Sequence, residues 1–311
     1  MGRTSIMLEE RIVFINGELV AWDQAQVHLM CHSFGRGSAI FEVIGVQETD
    51  SMGATVFRLD SHIERFFRSA ELLDMQITMN RESLETAVIE MIRKNKVVEG
   101  FIKIIGFYSQ IAFEILPPQP EIDIAIFVVD PKKDLDGMRF PFDQGTTLCI
   151  SKWRKLDPQT VPIEAKASAN YLNGMVARAE ARDRGFQNVV MLDTQGFVAE
   201  GGTESIFFVK DNRLMTPALG TVLQSITRQS IIEVGRAAGM DVRESRMVPQ
   251  ILFEADEIFL SGTPFKVLPV RKIEDRHIVN TPGPVSLKLS ALIDDILAGH
   301  NDRFKAWLFP A

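Results

Sequence analysis

The stretch Asn188–Pro217, NVVMLDTQGFVAEGGTESIFFVKDNRLMTP, alternates short apolar runs with turn residues. NVVMLD, FVAE, IFFVK and LMTP read as strands, and TQG, the glycine-rich GGTES and DNR read as the turns between them. The pattern predicts a β-meander. Upstream lie the strand TTLCISKW (Thr146–Trp153) and the helix NYLNGMVARAEARDRG (Asn170–Gly185), with Gly185 as its C-cap. Downstream, SITRQSIIEVGRAAGM (Ser225–Met240) reads as a helix, and ADEIFLSG (Ala255–Gly262) as a strand running into TPFK. Strands and helices interleave irregularly, which predicts an α+β fold rather than a doubly wound parallel sheet. No Rossmann glycine fingerprint or P-loop lysine motif is present.

The N-terminal part is mixed as well. In RIVFINGELV the pair Asn16-Gly17 separates two apolar runs, a hairpin signal of the type I′ kind. GSAIFEVIGVQ, ATVFRL, FIKIIGFYS and EIDIAIFVVD read as strands. DSHIERFFRSAELLDM spaces Ile63, Phe66, Phe67, Ala70 and Leu73 as a helix face, with Asp60 or Ser61 placed as N-cap, and SLETAVIEMIRKN is a second amphipathic helix. The polar segment DPKKDLDG carries Pro and Gly and predicts a linker. The chain is therefore divided into a small N-terminal domain (1–130), a linker (131–140) and a larger C-terminal domain (141–311).

With 311 residues, 46% of them hydrophobic, the chain can bury a sizeable core. A net charge of −7 and scattered lysines and arginines argue against a nucleic-acid surface and for small-molecule partners. The two cysteines, Cys31 and Cys149, lack the spacing of a zinc site or disulfide framework, which fits a reducing cytoplasm. No apolar run reaches signal-peptide or membrane-span length, so a soluble protein without membrane partners is expected.

In VPIEAKASANYL (Val161–Leu172) one lysine, Lys166, stands among alanines and a serine. A lysine in a semi-apolar setting has a depressed pKa, and the neutral amine is what attacks an aldehyde to form a Schiff base. A solvated loop lysine is the ordinary alternative. If the aldehyde is that of pyridoxal phosphate, the site also needs a phosphate cradle and a carboxylate for the pyridine nitrogen. The start of the helix at Ser225 to Thr227 offers N–H groups and a hydroxyl to an anion. Glu200 ends the strand FVAE at the sharp turn EGGTES, and Thr263 stands in a second small-residue turn, SGTPF. Each of these has a plain structural reading by itself.

Taken in order, KASANYLNGMVARAEA, GFVAEGGTESIFFV, LQSITRQSI and DEIFLSGTPFKVLPV resemble the signature of the fold-type IV pyridoxal-phosphate enzymes. That class includes branched-chain and D-amino-acid aminotransferases and aminodeoxychorismate lyases. VHLMCHSFGRGSAIFEVI and TVFRLDSHIERFFRSA extend the resemblance to the branched-chain enzymes over nearly the whole chain. The resemblance implies two domains, a small N-terminal one and a larger one on a β-barrel-like core, and a homodimer in which a loop of one subunit closes the pocket of the other. It further implies that Lys166 carries the Schiff base with pyridoxal 5′-phosphate and shuttles a proton, and that Glu200 pairs with the pyridine nitrogen. Tyr171 would reach the ring's phenolate oxygen and Leu223 would pack on a ring face, with Arg58, Thr203, Ile226, Thr227 and Thr263 around the phosphate.

Departures from the family pattern bear on the substrate. Where branched-chain enzymes carry Tyr-x-Arg-Pro, this chain has Phe101-Ile102-Lys103-Ile104, and LQSITR replaces Leu-Pro-Gly-Ile-Thr-Arg. Arg36 stands where an aromatic residue is common, either clamping a substrate carboxylate or pairing structurally across a subunit interface. Phe41 matches a pocket aromatic. Thr263 and Pro264 lie in the loop that gives N–H groups to the substrate carboxylate, and Pro264 has none. GFYSQIAFE contains no Arg-x-His pair of the D-amino-acid kind. The expectation is an aminotransferase moving the amino group of an apolar L-amino acid to a 2-oxo acid such as 2-oxoglutarate. A lyase of the aminodeoxychorismate type and a transaminase for D-amino acids or (R)-amines are the alternatives.

Overall fold

The computed structural model describes residues 8–135, 142 and 144–311. The chain forms two compact units: Met1–Arg139 with Ala165–Ala169 and Asp295–Ala311, and Phe140–Glu164 with Asn170–Asp294. Two stretches thus depart from a division in simple chain order: the five residues around Lys166 and the C-terminal segment both join the first unit. The linker expected at 131–140 falls from residue 136 onward outside the described residues.

The first unit is built on one sheet. Strands β1 (Ile12–Ile15) and β2 (Glu18–Ala21) form the expected hairpin, with positive φ at both Asn16 and Gly17, as a type I′ turn requires. With β3 (Ala39–Thr49), β4 (Gly53–Phe57), β6 (Gly100–Phe107), β7 (Glu121–Val129) and the C-terminal strand Leu308–Pro310, the order is Leu308–Pro310, β4, β3, β6, β7, β1, β2. The short β5 (Gln76–Ile77) runs parallel to β7. Helices α2 (Leu59–Leu72) and α3 (Arg81–Asn95) cover one face, after a short α1 (His32–Arg36), and their Ile63, Phe66, Leu84 and Met91 pack into one core with Ile44, Ile104 and Ile126. Side chains alternate across a strand, so β3 buries Ile40, Glu42 and Ile44 on this face and turns Phe41 and Val43 to the other. Helix α2 starts two residues earlier than an Asp60 cap implies and three earlier than a Ser61 cap does. Its N-cap is Arg58, in the left-handed region at φ 54°, ψ 42°. The helical turn α4 (Pro131–Asp134) follows β7, capped by the Asp130 carboxylate, which accepts from the Lys132 and Lys133 amides.

The second unit also carries a single sheet, but the meander is cut in two. Strands β8 (Thr146–Arg154), β9 (Asn188–Leu192), β10 (Val198–Gly201), β11 (Ser205–Lys210), β12 (Arg213–Pro217), β13 (Asp241–Ser245), β14 (Glu257–Gly262) and β15 (Phe265–Ile273) take the order β10, β9, β8, β15, β14, β11, β12, β13. The hairpins β9–β10 and β11–β12 form as expected, yet β10 and β11 are not neighbours. Five strand spacings separate them, about 24 Å in a flat sheet at ~4.8 Å each, while only residues 202–204 join them in the chain. The sheet must therefore curl, and it is mixed rather than purely antiparallel: β8 runs parallel to β9 and to β15, and β12 parallel to β13. Helix α5 (Tyr171–Asp183) packs Ala177 and Ala181 against Cys149, Val189 and Met191, and ends as expected before a left-handed Gly185. Helices α6 (Ile226–Ala237), α7 (Ile251–Glu254) and α8 (Pro284–Leu297) follow among the later strands, and the described structure is α+β. No helix among the described residues is long and apolar enough to cross a membrane.

Candidate active site

Lys166 is held at both ends of its backbone. Its N–H donates to Ser69 Oγ of α2 at 3.0 Å, its carbonyl accepts from the Phe41 amide of β3 at 3.0 Å, and Ala167 bridges Ile40 on the same strand. The half-buried side chain lays its Nζ 4.6 Å from the centroid of the Phe41 ring. An ammonium over an aromatic face is attracted by the ring quadrupole. Lys103, on the face of β6 away from the helices, places its Nζ 5.5 Å from the same centroid. Phe41 thus brings two of the candidate cations to one spot. Arg36 ends α1, exposed, and its Nη2 donates to the Phe113 carbonyl at 3.1 Å.

Beneath Phe41, on the core side of β3, Glu42 is fully buried and accepts from Arg65 Nε and Nη2 and from His62 Nδ1, each at 2.7 Å. Burial pushes its carboxyl up, but the charge and hydrogen bonds of Arg65, reinforced by His62, outweigh that and hold it down at about 2. Arg58 donates from Nε and Nη2 to Ser61 Oγ and lies with its guanidinium carbon 4.4 Å from the Trp307 ring centroid.

The other candidate residues belong to the second unit. Glu200 sits where the β9–β10 register slips, and such a bulge re-aims a side chain. Its buried carboxylate meets Lys155 Nζ at 2.5 Å, and Lys155 is fixed in turn by its amide bonded to the Leu192 carbonyl. The glycine turn after Glu200 is braced by the buried Glu204, which accepts from the Thr203 amide and hydroxyl and pairs with Arg178. A Cβ on Gly174 of α5 would stand 2.0 Å from the Gly202 carbonyl oxygen, so this helix and this turn touch backbone to backbone. Tyr171 opens α5.

Ser225 caps α6, its Oγ accepting from the Arg228 amide, and buried Ile226 and Thr227 fill the first turn. Half-buried Leu223 precedes them and gives its carbonyl to the Ser225 amide. Helix α6 is pinned by Arg228, a fully buried guanidinium donating to Thr216 Oγ1, the Pro217 carbonyl and Glu244. Burial raises the Glu244 carboxyl, but Arg228 and then Arg236 outweigh it and leave it below its ordinary value. Between β14 and β15, Pro264 is exposed at the turn, and Lys266 Nζ donates to the Thr263 carbonyl at 3.0 Å. The buried hydroxyls of Ser205 and Ser261, cross-strand partners in β11 and β14, have no protein partner among the described residues.

The sequence profile of the family described as "Amino-transferase class IV" matches residues 39–273, the span from β3 to β15 that carries nearly all of these groups. The chain belongs to this family. A branched-chain-amino-acid aminotransferase of Salmonella typhimurium is 32% identical over 301 residues, 96% of each chain. Among solved structures, the branched-chain aminotransferase of Thermoproteus uzoniensis with norvaline superposes with a TM-score of 0.91 at 29% identity, covering 96% of this chain and 99% of that one. The T.th. branched-chain enzyme complexed with N-(5'-phosphopyridoxyl)-L-glutamate gives 0.91 at 30% identity, covering 98% and 100%. This class IV aminotransferase is thus a two-unit member of its fold.

Several site-supporting residues carry no short-range signal. Lys155 looks like one more charge in SKWRKLD, Glu204 like a turn residue and Trp307 like a C-terminal aromatic. Their partners Glu200, Arg178 and Arg58 lie distant in the chain.

Proposed function

We propose that this class IV aminotransferase uses pyridoxal 5′-phosphate to move the amino group of an apolar L-amino acid, branched-chain ones included, onto a 2-oxo acid such as 2-oxoglutarate. The setting of Lys166 carries the reading: a lysine tethered through its amide and its carbonyl, with its ammonium on the face of Phe41. The donor set suits the cofactor. It offers an amine for the aldehyde, the buried Glu200 for the pyridine nitrogen, and for the phosphate the Arg58 guanidinium together with a twelve-residue helix opening on the Thr227 hydroxyl. The unpartnered Ser205 and Ser261 hydroxyls add polar atoms free for a polar ligand.

When bound, the cofactor supplies an electron sink that makes the donor's α-hydrogen acidic. Lys166 Nζ would hold that proton in transit, so the amine must swing while its backbone stays fixed, which the Ser69 and Phe41 hydrogen bonds ensure. Glu200, kept in place by Lys155, would pair with the ring nitrogen, and Tyr171 would serve the ring oxygen. Leu223 would pack on the ring, and Thr203, Ile226 and Thr263 would help hold the phosphate. Phe41 supplies an apolar contact for the donor's side chain. Lys103 supplies a cation beside it for the second carboxylate of glutamate or 2-oxoglutarate, with Arg36, Thr263 and Pro264 at the substrate side. The relatives crystallised with norvaline and with the L-glutamate adduct support both kinds of substrate.

The working form is a homodimer in a reducing compartment. Leu29, Phe34, Phe113, Ile115 and Leu116 are each more than two-thirds exposed, on two segments joined by the Cys31–Ile111 bridge and the bond from the Ala112 amide to the Met30 carbonyl. A monomer rarely leaves so large an apolar patch in water. Both cysteines are free and buried.

The test is a half-reaction with the yellow protein and single amino compounds. L-leucine, L-valine and L-glutamate are expected to bleach the cofactor band as the amine form accumulates, and Lys166→Ala to abolish the change. Bleaching by D-amino acids or amines alone, or pyruvate release without an acceptor, would overturn the reading.

A further inference from the structure

Arg58 occupies backbone space that suits glycine or asparagine. At φ 54° it is left-handed, and a side chain larger than asparagine's is strained there. Such a conformation persists only where the surroundings over-determine it, and here one residue distant in sequence meets Arg58 at two points. The Arg58 amide donates to the Trp307 carbonyl at 2.7 Å, and its guanidinium stacks on the Trp307 ring, 4.4 Å from carbon to centroid. Trp307 therefore holds Arg58 at its backbone and at its charged tip. Ser61 Oγ accepts from Nε and Nη2 and sets the rotation of the plane.

Trp307 is itself fixed. Its ring lies edge-on to Phe57 at 5.8 Å and tilted against Phe304 at 4.3 Å. The next residue, Leu308, begins a strand that pairs antiparallel with β4 in the register Leu308↔Phe57. A C-terminal segment distant in sequence thus ends on the residue that precedes α2.

We infer that Trp307 is a positioning residue for the cofactor phosphate, acting through Arg58. The inference rests on the reading of Arg58 as a phosphate ligand. Stacking takes up the face of the guanidinium and leaves its edge, through which an arginine meets an anion, turned away from the ring, and an arginine already ordered loses less freedom when the anion arrives. The ring acts on the phosphate alone and leaves the amine–aldehyde chemistry of Lys166 untouched.

The experiment is equilibrium titration of the full chain, freed of cofactor, with pyridoxal 5′-phosphate and with pyridoxal, which lacks the phosphate. Arg58→Ala, Trp307→Leu, Trp307→Phe and the double variant Arg58→Ala/Trp307→Leu are compared with wild type. Trp307→Leu is expected to weaken pyridoxal phosphate binding about tenfold, the size of a partly desolvated cation–π contact, and pyridoxal binding less than twofold. Trp307→Phe restores most of the affinity, and in the Arg58→Ala background Trp307→Leu adds nothing. Equal loss for both ligands would mean general loosening and would overturn the inference, as would no loss for either while Arg58→Ala is weakened. If Arg58→Ala itself binds pyridoxal phosphate normally, the phosphate reading of Arg58 falls first. Should Trp307→Leu not fold, Trp307→Met, apolar and flexible without a π face, gives the same comparison.

Discussion

Glu42→Gln is the most direct probe of the frame behind Lys166. The Glu42 carboxyl goes from an ordinary 4.5 to about 2 in the folded chain. At ~1.36 kcal/mol per pH unit this places about 3 kcal/mol of folding free energy in the Glu42–Arg65–His62 cluster. Because the folded value is depressed, that contribution is complete above pH ~4.5 and drains away as pH falls towards 2. Glutamine keeps the shape but not the charge, so urea unfolding followed at pH 7 is expected to show a loss of about 3 kcal/mol. The gap between wild type and variant should stay constant down to pH ~4.5 and then close. β3 carries Glu42 on one face and the Phe41 amide that bonds Lys166 beside it. Weakened binding of the cofactor aldehyde should therefore accompany the loss. A variant as stable as wild type at pH 7, or a gap that persists unchanged to pH 2, would refute the reasoning.

Lys155→Met leaves the buried Glu200 carboxylate without its partner, so the thermal midpoint should fall and cofactor affinity should weaken; a variant with unchanged midpoint and affinity would mean that the pair does not hold the carboxylate. Gly174→Ala, which in an ordinary helix adds up to ~1 kcal/mol of stability, should here destabilise by about 1–3 kcal/mol and lower cofactor affinity, because its Cβ meets the Gly202 carbonyl; calorimetry and cofactor titration check it. Cys149, fully buried with its thiol raised to about 11 by burial, should stay inert to a thiol reagent at pH 8 and react at once in denaturant; rapid modification of the native protein would contradict the packing.

Local signals carried much of this chain. The Asn16-Gly17 turn, the amphipathic face of Ile63, Phe66 and Ala70, and the Ser225 cap all follow from nearest-neighbour chemistry, and the structure forms each of them. What depended on distant partners was hidden. The break of the meander between β10 and β11 is set by where β8, β15 and β14 insert, and GGTES reads as a turn in either arrangement. The start of α2 at Arg58 rather than at Asp60 or Ser61 reflects a grip from residue 307, and tertiary contact overrode the capping preference. Among the candidate site residues, Lys166 and Glu200 were visible as odd residues in small-residue or glycine settings. Lys155 and Glu204 were not, because a salt-bridge partner leaves no periodicity in the sequence.

The five residues Ala165–Ala169 belong to the first unit although the chain on both sides belongs to the second. The polypeptide therefore changes unit twice within a few residues of Lys166. Gene fusion and domain shuffling work by cutting a chain once and transplanting the downstream portion. A cut near residue 140 would carry Lys166 away with one partner while leaving behind Ser69 and the Phe41 strand that hold it. This stitch makes the two halves poor candidates for exchange as cassettes, and it requires that sequence changes in β3 and in the lysine segment be tolerated together or not at all.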